Sequence, residues 1–144
     1  SVAVTISLYN HTARRFADGS NAVGDTYKLK LFTAATFNAT HTTEADASGT
    51  EVANGNGYTT GGLTLSSVTV STVTTNDAAF DAADAVWDAS GGSIAAAYGR
   101  IYNDTDANDP PVAFIDFGET KTAANGDQFK VIWDPSGIVL FTVA

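Results

Sequence analysis

The stretch Asp25-Thr26-Tyr27-Lys28-Leu29-Lys30-Leu31 alternates apolar and polar side chains from Tyr27 onward. Successive side chains of a β-strand point to opposite faces of a sheet, so this spacing turns Tyr27, Leu29 and Leu31 to one face and both lysines to the other. The pattern predicts a strand with one buried and one exposed face, and it is the cleanest amphipathic strand in the chain.

Further apolar runs lie on both sides of this strand and are separated by turn-forming Gly, Asn, Asp and Pro. Residues 112–117 and 138–143 are apolar on both faces, which indicates central strands or strands beneath a subunit contact. Asn125-Gly126 predicts a hairpin between its flanking strands. Two further rows of alternate residues are expected to face inward: Val4, Ile6 and Leu8, and Phe129, Val131 and Trp133.

The length of 144 residues fits a single domain, 1–144, with a core large enough to need no disulfide staple. The strand pattern predicts an all-β fold, namely an antiparallel β-sandwich, jelly-roll-like or a related barrel. The polar stretch 33–60 is the expected long loop or extended arm. Only residues 77–87 also show helical spacing, and a loop or single turn leading into a strand is the preferred interpretation there.

Composition excludes several classes of function. The net charge of -9, from 7 basic and 16 acidic residues, argues against nucleic acid and against anionic membrane surfaces. No stretch approaches the ~18 apolar residues of a membrane span. The first residues lack the basic and apolar regions of a secretory signal, so a complete protein made in the cytoplasm is expected. Zero cysteines exclude disulfides and thiolate chemistry.

Charge is unevenly divided along the chain, with a formal +2 over residues 1–30 and -11 over residues 31–144. If this contrast survives folding, the N-terminal part faces an acidic partner. The alternative is that the charges interleave once the strands mix in a sandwich. The candidate partner-binding cations are Arg14, Arg15, Lys28 and Lys30.

No motif in the chain predicts catalysis. His11 and His41 lie in unrelated polar contexts, and neither has a second ligand at metal-site spacing. There is no Gly-x-Ser-x-Gly nucleophile elbow, and no isolated pair of carboxylates suits glycoside hydrolysis. We therefore expect a protein that is not an enzyme and that uses no cofactor.

Asp104, Asp106 and Asn108 repeat the alternating oxygen donors with which calcium loops begin. These three residues are the candidate calcium ligands, but the mid-loop Gly of such loops is replaced by Asp109 and no Glu closes the site, so they match only the start of a calcium loop. The alternative is an acidic hairpin tip held by the stiff pair Pro110-Pro111.

A series of short segments, taken in their order and spacing, covers most of the chain. The segments are Arg15-Phe16-Ala17-Asp18-Gly19, Asp25 to Phe32, Glu51-Val52, Asn56 to Leu65, Asp84 to Trp87, Arg100 to Asp104, Ile115 to Gly118, Asn125 to Phe129, and Trp133. Together they resemble a group of small virion structural proteins of tailed bacteriophages. The resemblance implies membership of a virus particle and transfers no catalytic residue.

Within that class, the first hypothesis for the function is a capsid decoration or cement protein. Such a protein would bind the major capsid protein, act as a homo-oligomer on the particle surface and reside in the virion. One alternative is a tail or fibre-associated adaptor. Another, from a different class, is a carbohydrate-binding sandwich with Tyr9, Tyr58, Tyr98 or Trp87 as a stacking platform, although each aromatic fits a core position as well.

Overall fold

The computed structural model describes residues 3–143, which form eleven strands and one short helix. The predicted all-β, antiparallel fold is confirmed. In chain order the elements are β1 (Thr5–Leu8), α1 (Thr12–Ala17), β2 (Tyr27–Ala35), β3 (Gly49–Glu51), β4 (Leu63–Thr64), β5 (Thr69–Thr72), β6 (Ala78–Asp81), β7 (Ala85–Asp88), β8 (Ile94–Asn103), β9 (Pro111–Ala123), β10 (Gln128–Val131) and β11 (Val139–Phe141).

The largest sheet has six strands in the order β1-β9-β8-β2-β3, with β4 also paired to β2. Two smaller sheets, β7-β10 and β5-β6-β11, contribute side chains to the same hydrophobic core as the large sheet. Tyr27 of β2 meets Phe80 of β6, and Phe117 of β9 meets Phe129 of β10. The arrangement is therefore sandwich-like, with one core between unequal layers. The jelly-roll or barrel connectivity stays a prediction.

Strand β2 has the predicted orientation, because Tyr27, Leu29 and Leu31 are fully buried on its inner face. The inward row of Phe129, Val131 and Trp133 is likewise buried. Strand β9 is central in its sheet, as the apolar run 112–117 predicts. Aromatic and β-branched side chains at alternate positions thus account for most of the core.

Local structure differs from the expectations in four places. Strand β11 lies at the edge of its small sheet, so residues 138–143 are not a central strand, and their alternative position beneath a subunit contact stays a prediction. Residues 77–87 form the strands β6 and β7, so β6 replaces most of the loop that was expected before Val86-Trp87. Helix α1 was not predicted, since its six residues are too short to show an apolar period. The turn at Asn125-Gly126 forms, but β9 and β10 do not pair across it, because β10 pairs with β7 in the other layer.

The stretch 33–60 is not one extended arm. Its first residues continue β2, residues 49–51 form β3, and the intervening loop 36–48 folds back onto the large sheet. The Asn10 amide donates to the Ala39 carbonyl at 2.9 Å, and the Glu44 amide donates to the Asp109 carbonyl at 3.0 Å. The Glu44 side chain also binds Lys30 and Arg100 on the sheet, and these contacts hold the polar loop against it.

Candidate functional site: a buried charge cluster and an exposed apolar strand

The loop 36–48 delivers a carboxylate to two cations on the outer face of the large sheet. Lys30 on β2 and Arg100 on β8 are directly opposite in the strand register. Glu44 accepts hydrogen bonds from Lys30 Nζ at 2.9 Å and from Arg100 Nη2 at 3.0 Å, and its other oxygen accepts from Arg100 Nε. Because the guanidinium binds in a bidentate manner and is almost fully buried, this cluster fixes the loop to the sheet.

Aromatic rings enclose this charge cluster. The Arg100 guanidinium lies over the Phe32 ring at 4.4 Å, and Lys30 Nζ lies over the Tyr102 ring at 4.8 Å. Burial raises the pKa of the Tyr9 hydroxyl to about 12, although the nearby Arg100 charge opposes the rise. The side chains of Arg100 and Glu44 are almost fully buried, so the chemistry of the cluster is that of a structural ion pair.

All four cations predicted to bind a partner are paired with carboxylates of the chain itself. Their charges interleave with acidic side chains in the folded molecule, which is the alternative that the sequence left open. Only the Arg14 side chain is mostly exposed, at 64%. Their role toward a partner stays a prediction. The pairs are Arg14–Asp18 at 2.8 Å, Arg15–Asp106 at 3.1 Å, Lys28–Asp104 at 3.2 Å and Lys30–Glu44 at 2.9 Å.

Two of the candidate calcium ligands, Asp104 and Asp106, also form ion pairs with basic side chains of the chain. Asp104 pairs with Lys28, while Asp106 pairs with Arg15 and accepts the Asn108 amide at 2.9 Å. The hydrogen bond from the Asn108 backbone, helped by Arg15, lowers the pKa of Asp106. Across residues 3–143, no group of three or more His, Asp or Glu is placed to hold a metal ion.

The aromatic residues proposed as a sugar platform are mostly in the interior. Tyr9, Tyr58 and Trp87 are buried, and Tyr98 is half-buried and stacked on Phe114. The Tyr58 hydroxyl donates to Glu51 at 2.7 Å and accepts the Leu31 amide at 3.1 Å. The three buried rings offer no open face to a sugar ring.

Strand β1 presents an exposed apolar surface that the sequence did not reveal. Val4, Ile6 and Leu8 were expected to face inward, and they do lie on the core side of the sheet, but each is 40–55% exposed. The covering layer ends before it reaches β1, which is the edge strand. Beside Val4 a groove of about 400 Å³ opens between β9 and β10, bordered by the exposed Ile132.

The structure thus defines an all-β, antiparallel, sandwich-like protein. The charged side chains described above mainly form ion pairs and hydrogen bonds within the chain itself. No protein-family model matches the chain, and no curated protein or solved structure matches it either. Within residues 3–143, none of the helical structure has the length and apolar character that crossing a bilayer requires.

Proposed function

We propose that this protein is a virion structural protein of a tailed bacteriophage, and that it decorates the head by binding the lattice of major capsid protein. The observation that carries the proposal is that the segments resembling such proteins form one unit. Asp25 to Phe32 pairs with Arg100 to Asp104 as β2 and β8. The segment Asn56 to Leu65 is tied to both strands, because Tyr58 accepts the Leu31 amide and Tyr102 donates to the Gly61 carbonyl.

The surface chemistry supports a long-lived particle component. Six of the seven basic residues form ion pairs within the chain, so unpaired carboxylates dominate the exterior of a protein with net charge -9. Strong net charge keeps a protein soluble at high copy number. Because Cys and Met are absent, the two most oxidation-prone side chains are missing as well.

The proposed mechanism is stabilisation by binding. A protein that binds only the assembled lattice lowers the free energy of that lattice relative to its broken state. Shell rupture must then also break the contacts of the decoration protein. In this proposal no catalytic residue is assigned, and the Lys30–Glu44–Arg100 cluster serves to hold loop 36–48 in place.

Arg14 is the cation best placed to steer the chain toward an acidic capsid patch, because its side chain is the most exposed of the four candidates. The test is rebinding of the purified chain to stripped capsids at increasing salt. Affinity is expected to fall with salt and with Arg14→Ala. Lys121→Ala is the matched control, since Lys121 also sits in an exposed pair, with Glu119.

Copy number distinguishes the head from the tail. A decoration protein is expected at a stoichiometry close to that of the major capsid protein, and a density map of the particle gives that number. A few copies at the tail or fibre base would replace this proposal by the adaptor alternative. Absence of binding to capsids at every salt concentration would refute head decoration, whereas salt-independent binding would remove only the electrostatic contribution of Arg14.

A further inference from the structure

Strand β1 lacks the devices with which proteins protect a sheet edge. Lysines, prolines and bulges usually block pairing with another chain. Residues 1–10 contain no charged side chain and no proline, although the whole chain carries a net charge of -9. The register of β1 with β9 is regular over all four residues. Among the described residues, no strand pairs with the outer edge of β1.

The exposed side chains of β1 extend the core face of the sheet. Ile6 lies opposite the buried Ile115 of β9, and Leu8 lies opposite the buried Ala113. Both partners belong to the hydrophobic core. A strand added outside β1 would therefore continue a sheet face that is already apolar, and it would cover Ile6 and Leu8 where the second layer does not.

We propose that a second copy of this chain supplies the added strand. In this arrangement β1 pairs antiparallel with β1 of the second copy, about a two-fold axis at Ile6. Ile6 then faces Ile6 of the second copy, Val4 faces Leu8, and Thr5 faces Ser7. A shift of one residue would place apolar side chains opposite polar ones on the wrong face. A shift of two residues would keep the apolar face but pair fewer of residues 4–8, so the register centred on Ile6 is the one that pairs all three apolar residues of this stretch in both copies.

The groove beside Val4 makes the surface self-complementary. Phe117, Phe129, Val131 and Ile132 line it together with Val4, and it encloses about 400 Å³. In the proposed register, Leu8 of the second copy lies next to Val4 at the mouth of this groove. The two-fold axis repeats the contact, as an isologous interface requires. The projecting Leu8 and the groove beside Val4 lie at opposite ends of the same strand. A second copy, related by the two-fold axis, therefore fits this surface better than an unrelated segment would.

The distribution of charge also favours association of two copies through β1, although each copy is acidic. The surfaces that approach each other are β1 and the apolar border of the groove, and β1 contributes no charge. The basic side chains Lys121 and Lys130 border the groove. Two chains of net charge -9 would repel each other through most other contacts.

The first test is the mass of the purified chain in solution, by sedimentation equilibrium from micromolar to near-millimolar concentration. We expect a dimer. Ile6→Lys places two lysines opposite each other and is expected to raise the dimer dissociation constant by about tenfold or more. Val70→Lys is the matched control, because Val70 is similarly exposed on the edge strand β5. Circular dichroism checks that both variants are folded.

Single cysteines then test the register, because the chain has none of its own. Ile6→Cys is expected to crosslink to itself under mild oxidation, since directly opposite residues have Cβ atoms about 4.5–5.5 Å apart. Val4→Cys is expected not to, because the two copies of Val4 would be about 13 Å apart, four residues along the strand. A mixture of Val4→Cys and Leu8→Cys should crosslink.

Three results would overturn the inference: a monomer at all concentrations, a dimer that Ile6→Lys leaves unchanged, or crosslinking of Val4→Cys to itself. The experiment uses the chain alone and no capsid. A failed dimer therefore leaves head decoration standing, and failed capsid binding leaves the dimer standing.

Discussion

Gly62 is a position where the backbone itself requires glycine. Its φ of +90° lies in the left-handed region, and a Cβ added there would be 2.2 Å from the Leu29 carbonyl oxygen of β2. Gly62→Ala is expected to lower the free energy of unfolding by at least about 3 kcal/mol, because a backbone atom of a central strand must move.

Gly19→Ala is the matched control, since Gly19 has φ +82° but no atom within 4 Å of the added Cβ. Only the conformational cost of about 1 kcal/mol remains there. Urea unfolding followed by circular dichroism measures both variants. Equal losses would show that the close approach to β2 is unimportant.

Glu44 is the residue on which loop 36–48 depends. Glu44→Gln leaves the buried Arg100 guanidinium and Lys30 without a carboxylate, and we expect a loss of about 3 kcal/mol in the free energy of unfolding. Glu119→Gln removes an exposed pair with Lys121 and should cost less than about 1 kcal/mol. Thermal unfolding distinguishes them, and a Glu44→Gln variant as stable as Glu119→Gln would contradict a structural role for the cluster.

Single positions of the core could be predicted from the sequence where alternation and burial coincide, as they do at Tyr27, Leu29 and Leu31. Ile6 shows the same alternation yet is exposed. Alternation reports which face of a strand is apolar, whereas exposure depends on whether another layer covers that face. The neighbours that decide this are far away in the sequence.

At the scale of elements, the turn after β8 gives stability that depends on pH. The Asn108 amide and Arg15 lower the pKa of Asp106 in the folded state, so its contribution is present above the ordinary carboxyl pKa and is lost as the pH falls through the lowered value. Between about pH 5 and pH 3, the wild type is expected to lose more stability than Asp106→Asn.

Asp109 acts in the opposite direction, because burial and then the charge of Asp104 raise its pKa. The charge of Asp106 is the smallest of the causes that raise this pKa, so Asp109 makes nearly the same contribution to the wild type and to Asp106→Asn. Denaturant unfolding at a series of pH values supplies the measurement. Parallel pH profiles would mean that the turn gains nothing from ionised Asp106.

Secondary-structure elements could be predicted only where neighbouring residues in the sequence determine them. The turn at Asn125-Gly126 is a property of two residues and forms as expected. The partner of β10 is not a local property, since the Gly126 amide donates to the Ala89 carbonyl and the chain crosses to β7. The ion pair that fixes loop 36–48 likewise joins residues 56 positions apart. Composition alone therefore suggested a free arm.

At the scale of the whole molecule, Phe80 joins three parts of the structure. Its ring meets Phe16 of α1 and Tyr27 of β2 while its strand lies between β5 and β11. Phe80→Ala is expected to cost about 3–5 kcal/mol, because the cavity lies where the layers meet.

Because all layers share one core, unfolding should remain a single transition. Fluorescence of the buried Trp87 and Trp133 reports on the β7-β10 side, and far-ultraviolet circular dichroism reports on all strands. The two curves are expected to coincide in the wild type and in Phe80→Ala. Separate midpoints would show that the layers unfold independently.

The pairing of β1 with β9 has a consequence for how the protein is made. Ile6 and its partner Ile115 are separated by about a hundred residues, so β1 leaves the ribosome roughly 5–20 s before its neighbour exists. Strand β2 is likewise synthesised well before its partner β8. The central sheet must therefore assemble after most of the chain has been synthesised. During that interval the apolar strands β1 and β2 can pair with strands of other chains. Aggregation of this protein is therefore expected mainly when it is expressed rapidly and at high concentration.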